Sequence, residues 1–342
     1  MQLTSCNRTT GRNVLSDAML RLFLFASFLL GFLSSSQGAP TSVTDFNKFL
    51  RPGEYSGTLR LDDRERQFII STPPGATADE PRPIVFFFHG AGGSAEQAAA
   101  TYGWIEKAKA ERFFVVFPQG LGAKPDAPSS FLRNPSIWRD ERSGVPGPVD
   151  DVHFFSTLLD KLETVLPIDR RRVFITGFSN GAGMTFTLGA HFSDRIAAIA
   201  PVSSQSFVTT GQLARPLPVY YLVGTADPLV PFQGGTTTLP WGVTRTMPPV
   251  QDSADQWARL NGCPTTPQTV SDTHGVRLLR YGPSREDSEV LFTIVEGNGH
   301  HWPKTVEPLP AAIAGPSLDP FSATDRIWEF FKRHPLPKEL GL

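Results

Sequence analysis

The sequence predicts an α/β protein with a doubly wound, mostly parallel sheet and an antiparallel hairpin at its N-terminal end. Short apolar runs alternate with amphipathic segments of helical length along most of the chain, which favours parallel strands joined by crossover helices. The run Ile84–Phe88 is continuously apolar, as is typical of a central strand covered on both faces. Gly57–Leu61 and Arg66–Ser71 alternate in polarity across Asp62-Asp63, a pattern that predicts the antiparallel hairpin.

The remaining elements follow from the same periodicities. Further strands are expected at Phe113–Phe117, Val173–Thr176, Ile196–Val202, Pro218–Val223, Val276–Tyr281 and Val290–Val295. Helices are expected after Ser94 through about Glu111, at Asp150–Leu166, after Ser179, at Gln251–Asn261 and at Thr324–Arg333. Leu121–Val149 is rich in Pro and Gly without a clear period. It predicts a long loop, and loops of that length inside a compact domain are usually functional or mobile.

Length and charge narrow the class of protein. The chain has 342 residues and a formal net charge of −1, so it can bury a full core and has no basic excess that would favour nucleic-acid binding. Its Cys and His residues show no metal-ligand spacing. Neither nucleic acid nor a bound metal is therefore expected, and the charge balance otherwise excludes very little.

The N-terminal segment has the pattern of a secretory signal. Arg21 precedes the apolar run Leu22–Leu33, and small residues follow it, so residues 1–38 are expected to be a cleaved signal peptide and residues 39–342 a single domain. The alternative is an uncleaved membrane anchor, and Met19 rather than Met1 is a possible true start. The predicted location is extracellular or periplasmic, without a stable membrane span after cleavage. Removal of Cys6 with this segment would leave Cys263 without an internal disulfide partner.

The stretch Val173–Leu188 indicates a nucleophile. A β-branched and aromatic run leads into Gly177-Phe178-Ser179-Asn180-Gly181, and helix-forming residues follow at once. A serine between a strand and a helix in this way sits on a strained turn that exposes its hydroxyl, and side chains at Gly177 or Gly181 would collide with neighbouring backbone. Ser179 is thus the candidate nucleophile, against the alternative of a plain turn residue.

Two further strand ends carry a possible acid and base. Asp227 follows the strand Pro218–Val223, and His300 lies in a glycine-rich turn after Val290–Val295. The order Ser179, Asp227, His300 is that of the α/β hydrolases, in which the acid orients a histidine that activates the serine. Asp227 as a simple turn cap and His301 as the base are the open alternatives.

The turn after Ile84–Phe88 completes the predicted site. His89-Gly90-Ala91-Gly92-Gly93 can present the Ala91 N–H beside the Asn180 N–H, and two such donors would stabilise an oxyanion. His89 is interpreted as a brace for this turn, with a proton-transfer role as the alternative. Trp138, His301 and Trp302 are candidate substrate contacts, with Trp302 favoured for an acyl or aromatic group. The alternative for each tryptophan is a place in the core or a loop anchor.

Taken together, these motifs resemble a known family. H-G-x-G-G, G-x-S-N-G, G-T-x-D-P-x-V-P and G-x-G-H-x-W-P are similar to the secreted polyhydroxybutyrate depolymerases and the feruloyl or acetylxylan esterases, with LpqC-like members the most similar. The resemblance runs from about Leu59 to His334. It implies an α/β-hydrolase fold, an acyl-enzyme on Ser179 and no cofactor. It also assigns Asp227 as the acid, His300 as the base, and Ala91 and Asn180 as the oxyanion donors.

The chain departs from this family pattern in two places. The family often pairs the cysteine at Cys263 with another one after the following strand, where this chain has Tyr281-Gly282-Pro283. His301 stands where the family usually has a small or polar residue. Members that act on polymers commonly carry a polymer-binding domain, and none is recognised after His334, so dissolved esters are the expected substrates.

The sequence therefore predicts a secreted serine carboxylic-ester hydrolase for short-chain, aromatic (feruloyl or acetyl) or hydroxyalkanoate esters. A serine peptidase of the same fold is one alternative, because the triad chemistry serves both esters and amides. A catalytically silent binding protein is the other. Four intact motifs count against it.

Overall fold

The computed structural model describes residues 42–43, 45–61, 63–77, 79–141, 149–284, 288–305 and 309–338. The predicted signal peptide, residues 1–38, lies outside the described residues. The described part of the chain is built around one large sheet of eleven strands and a separate two-stranded hairpin.

The strands are numbered along the chain. They are β1 Ser42–Val43, β2 Gly53–Leu61, β3 Arg64–Thr72, β4 Arg82–Phe88, β5 Phe114–Pro118, β6 Ile168–Phe178, β7 Ala198–Val202, β8 Val219–Gly224, β9 Gly235–Thr238, β10 Thr244–Met247, β11 Gln268–Thr273, β12 Val276–Tyr281 and β13 Val290–Val295. The large sheet has the order β1-β2-β3-β5-β4-β6-β7-β8-β13-β12-β11, and β9 pairs with β10.

The middle of the sheet is parallel, as the sequence predicts. Strands β5, β4, β6, β7, β8 and β13 pair in parallel, while β2 and β3 form the expected antiparallel hairpin and β3 joins the sheet antiparallel to β5. Because parallel neighbours end at the same edge, the turns after β4, β6, β8 and β13 meet at one edge of the sheet.

Helices cover both faces of the sheet. They are α1 Ala95–Thr101, α2 Trp104–Glu111, α3 Asp151–Val165, α4 Asn180–His191, α5 Val250–Leu260, α6 Ala311–Ala314 and α7 Ala323–Lys332, with a 3₁₀ helix at Phe46–Leu50. Strand β4 shows the two-sided burial, since Phe86 and Phe88 join one apolar cluster while Val85 and Phe87 join the other. The side chains of α3, α4 and α5 fill the first cluster, and those of α1, α2 and α7 fill the second.

The structure differs from the predicted elements in a few places. The helix expected through Glu111 is two helices, because the chain turns at Gly103, which has a φ of 69° that favours glycine. The exposed strand β11 and the hairpin β9–β10 were not predicted, since neither has the apolar alternation that marks a half-buried strand. None of the helices in the described ranges has the length and apolar character needed to cross a membrane.

Candidate active site

Ser179 lies at a strained turn between β6 and α4. Its φ is 56° and its ψ is −121°, a conformation that L-residues rarely adopt and that costs about 1–3 kcal/mol. A Cβ on Gly181 would lie 2.0 Å from Phe88 O, and one on Gly177 would lie 2.5 Å from Gly181 O. The glycines are therefore required by close backbone contact, for the reason that the sequence pattern predicts.

Asp227 and His300 form a buried pair. His300 Nδ1 lies 2.7 Å from Asp227 Oδ2, and both residues are almost fully buried. The other oxygen of Asp227 accepts hydrogen bonds from the N–H groups of Leu229 and Val230, at 2.9 and 2.8 Å. The carboxylate is thus fixed by its own turn and can hold the imidazole in one orientation.

Packing brings this pair to the serine turn. Strand β13, which precedes His300, pairs with β8, which precedes Asp227, and β7 links β8 to β6. The His300 ring centroid lies 4.7 Å from that of Phe178, the residue before Ser179. No hydrogen bond between described residues involves Ser179 Oγ or His300 Nε2, and apo sites commonly close this contact only when substrate binds.

Backbone groups of residues 314–318 hold the His300 turn. Gly299 N donates to Pro316 O and His300 N donates to Ala314 O, both at 2.6 Å. The buried Asn298 side chain accepts from Leu318 N at 2.8 Å. Nothing in the sequence around residues 314–318 marks them for this role, because the contacts are made by backbone groups.

The turn after β4 lies against the serine turn. A Cβ on Gly90 would lie 3.4 Å from Ser179 Cβ. The Ala91 N–H has no partner among the hydrogen bonds of the described residues, and the Asn180 N–H, at the first position of α4, lacks an intrahelical acceptor. Two N–H groups are thus left available on neighbouring turns.

His89 fixes the turn after β4. Its Nδ1 lies 2.8 Å from Gly90 O, and its Nε2 accepts from Gly120 N at 3.0 Å. Burial lowers the pKa of His89 to about 4, against the smaller raising effect of the Gly90 carbonyl. Both ring nitrogens are therefore engaged with backbone, which favours the bracing interpretation over proton transfer.

The Asn180 side chain ties the serine turn to the long loop. Its Oδ1 accepts from Trp138 N at 2.6 Å, and its Nδ2 donates to Trp138 O at 3.1 Å and to Asp140 Oδ2 at 3.3 Å. The Trp138 indole N–H in turn donates to His89 O at 2.9 Å. The described part of this loop is therefore built onto both turns of the site.

The three predicted substrate contacts are all buried. Trp138 is buried and packs edge-to-face on Phe88. His301 is buried, with its Nε2 3.0 Å from Gly315 O. Trp302 is 0% exposed, and its N–H donates to Thr324 Oγ1 at 3.1 Å. The structure gives these side chains packing and bracing contacts, and their role as substrate contacts stays a prediction.

The described residues also bear on the sequence expectations for metal ligands and for Cys263. Within the described ranges, no group of three or more His, Cys, Asp or Glu side chains is arranged to hold a metal ion. Cys263 is a buried free thiol there, and burial raises its pKa to about 11. The site offers a hydroxyl, an imidazole–carboxylate pair and two N–H donors, which is the set needed for acyl transfer.

The chain is similar in sequence to a family of esterases and to individual feruloyl esterases. Residues 75–241 match the family model described as Phospholipase/Carboxylesterase. Feruloyl esterase D of Neurospora crassa is 26% identical over 92% of this chain and 97% of its own length. Feruloyl esterase B of Piromyces equi is 27% identical over 69% of this chain, which spans only 42% of that protein.

A solved structure shows the fold independently. The acetyl xylan esterase from Aspergillus awamori superimposes with a TM-score of 0.55 at 16% sequence identity, over 81% of this chain and 98% of that one. The α/β-hydrolase fold and the resemblance to feruloyl and acetylxylan esterases are therefore confirmed.

Proposed function

We propose that this chain, an α/β-hydrolase-fold relative of feruloyl and acetylxylan esterases, is a serine carboxylic-ester hydrolase. One observation carries the proposal. The buried 2.7 Å pair of His300 and Asp227 lies at the same sheet edge as the strained Ser179 turn, with the ring of His300 against Phe178. Such strain persists in a folded protein only where the surroundings enforce it, and it clusters at functional sites.

The reaction follows from these groups. Ser179 Oγ attacks the ester carbonyl carbon as His300 Nε2 takes its proton, while Asp227 holds the ring through Nδ1. The N–H groups of Ala91 and Asn180 stabilise the tetrahedral oxyanion, an effect worth about 2.7–4 kcal/mol per donor. The alcohol leaves with the proton from His300. Water then attacks the acyl-enzyme with the same base and releases the carboxylic acid.

The proposed substrates are short-chain or aromatic esters, with hydroxyalkanoate oligomers as a further class. Relatives named as feruloyl esterases align over nearly the whole of this chain, which supports aromatic acyl groups. We also propose export of the mature domain. Intact-mass measurement of protein recovered outside the cells should give a chain that begins after residue 38, whereas an intact leader would contradict export with cleavage.

Covalent labelling tests the nucleophile. Wild-type protein treated with a p-nitrophenyl alkylphosphonate should gain one phosphonyl group on Ser179, and Ser179→Ala should gain none and lose p-nitrophenyl acetate hydrolysis by at least a thousandfold. Ser203→Ala is the matched control. Ser203 also has a positive φ, of 55°, and follows the neighbouring strand β7. Labelling or turnover retained in folded Ser179→Ala would contradict the proposal.

A further inference from the structure

An exposed aromatic pair borders the candidate site. The rings of Phe131 and Trp241 meet edge-to-face, with centroids 6.0 Å apart and planes at 80°. Phe131 is 38% exposed and Trp241 is half-buried. Two large aromatic side chains that keep surface open beside a reactive site are a candidate ligand contact, because aromatic rings commonly line ligand sites and pack against apolar and aromatic groups.

The Phe131 ring lies against the turn that contains Ala91. A Cβ on Gly92 would lie 2.5 Å from Phe131 Cδ2, so the phenyl ring covers the open face of that glycine. Gly92 N also donates to Ser136 O at 2.7 Å. The ring is therefore held next to the backbone that presents the Ala91 N–H.

The turn that presents Phe131 is well anchored. Ser130 and Asn134 exchange two backbone hydrogen bonds, of 3.0 and 2.9 Å. The Asn134 side chain is buried, accepts from Lys124 N at 3.0 Å and donates to the carbonyls of Lys124 and Ala127 at 3.0 and 3.1 Å. A turn fixed in this way can place a ring without a large ordering cost on binding.

Trp241 approaches Phe131 from the side of the candidate site that contains Asp227. It sits at the tip of the β9–β10 hairpin, where Leu239 N donates to Val243 O at 2.8 Å. The hairpin is fastened to the Asp227 turn, because Thr237 Oγ1 donates to Pro228 O at 2.8 Å. The aromatic pair thus connects the turn after β4 with the turn after β8.

We propose that Phe131 and Trp241 form the wall of a subsite that binds a planar aromatic ring of the ester substrate. The inference rests on the proposed function and specifies its substrate class. A ring can pack in offset or edge-to-face geometry against either side chain, whereas an acetyl or ethyl group is too short to fill the same wall. The two residues would therefore set the preference for aromatic over small aliphatic esters. The ring can belong to the acyl or to the alcohol part of the ester.

Three esters separate these cases. Ethyl acetate has no ring, methyl cinnamate has an aromatic acyl group, and phenyl acetate has an aromatic alcohol. In Phe131→Ala and Trp241→Ala, the ratio of kcat/KM for an aromatic ester to that for ethyl acetate should fall about fivefold, and further in the double variant. Trp241→Phe should restore most of the ratio because it keeps a ring. Val243→Ala, on the same hairpin tip and 50% exposed, is the control and should keep the wild-type ratio.

The ratios measured with the three esters decide whether the aromatic subsite exists and which part of the ester it binds. A fall confined to methyl cinnamate places the wall at the acyl side, and a fall confined to phenyl acetate places it at the alcohol side. Unchanged ratios in variants that still hydrolyse ethyl acetate overturn the subsite and leave the esterase proposal standing. If folded wild-type protein hydrolyses none of the three esters, the proposed function itself has failed and the subsite fails with it.

Discussion

Two histidines follow the ends of strands β4 and β13, and the turns that contain them are built in opposite ways. His89 has both ring nitrogens engaged with backbone, at Gly90 O and Gly120 N. His300 has Nδ1 on the Asp227 carboxylate, and no hydrogen bond between described residues uses its Nε2. Both residues are buried, so burial does not distinguish them. The chemistry of the partners does.

The comparison shows what makes a buried histidine suitable for proton transfer. A ring held by a carbonyl on one side and an N–H on the other is locked in one neutral tautomer, since Nδ1 must donate and Nε2 must accept. A carboxylate partner at Nδ1 instead stabilises the imidazolium that forms when Nε2 takes a proton. We therefore expect His89 to contribute to stability and placement, and His300 to contribute to the reaction.

The largest expected effect comes from replacing, one at a time, the two histidines of the His300 turn, His300 and His301. His300→Ala should lower kcat/KM for ethyl acetate by about a thousandfold or more, because no other base is aligned with Asp227. In His301→Ala, kcat/KM should fall by less than tenfold, because the hydrogen bond of His301 Nε2 is to the backbone oxygen of Gly315 and not to a group of the proposed triad. Steady-state kinetics on both folded variants makes the test. A large loss in His301→Ala with activity kept in His300→Ala would place the base one residue later.

A smaller effect is expected from the brace on the His89 side. Asn180→Ala keeps the Asn180 N–H but removes the three side-chain hydrogen bonds to Trp138 and Asp140. The loop would then be less well fixed on His89 O, and kcat should fall roughly tenfold with a smaller change in KM.

Asn261→Ala is the matched control for this variant. Asn261 is buried, whereas Asn180 is half-buried. The Asn261 side chain bonds to Leu217 N and O at 2.5 and 2.8 Å, as the Asn180 side chain bonds to Trp138 N and O, but Asn261 caps the end of α5. It should lower the free energy of unfolding with little effect on kcat. Equal kcat in the two variants would show that the Asn180 contacts serve stability alone.

A separate effect, on stability and not on rate, is the pH dependence caused by His89. Its pKa is about 4 in the folded protein and about 6.5 without the fold, so between these values the unfolded chain binds a proton that the folded chain does not. The free energy of unfolding should therefore decrease as pH falls from 7 to 5, by about 2 kcal/mol from this residue.

Urea unfolding at pH 5 and pH 7 measures that contribution. His89→Asn should be less stable than wild type at pH 7 and should lose less stability on acidification. His274→Asn, which removes an exposed histidine, should keep the wild-type difference between the two pH values. An unaltered difference in His89→Asn would mean that His89 is not held neutral by the fold.

Much of the fold could be predicted because its signals are local in the sequence. The continuous apolar run of β4 reports burial on both faces, and the two-residue alternation around Asp62-Asp63 reports a hairpin. The glycines at Gly177 and Gly181 mark the serine turn in the sequence, although the oxygen that a Cβ on Gly181 would meet belongs to Phe88 on β4. The fold class and the four strand-end turns after β4, β6, β8 and β13 were therefore available from the chain alone, with bounds correct to within a few residues for most elements.

Tertiary structure decided the features that depend on residues far apart in the chain. The engagement of His89 Nε2 needs Gly120 N, and the contact between Phe131 and Trp241 needs two loops to meet. Whether an aromatic side chain faces the cleft or the core is also set by packing, which is why Trp302 is enclosed although its motif placed it beside the base. Local sequence encodes backbone conformation and residue chemistry, but the partners of a side chain are fixed only when separate elements pack together.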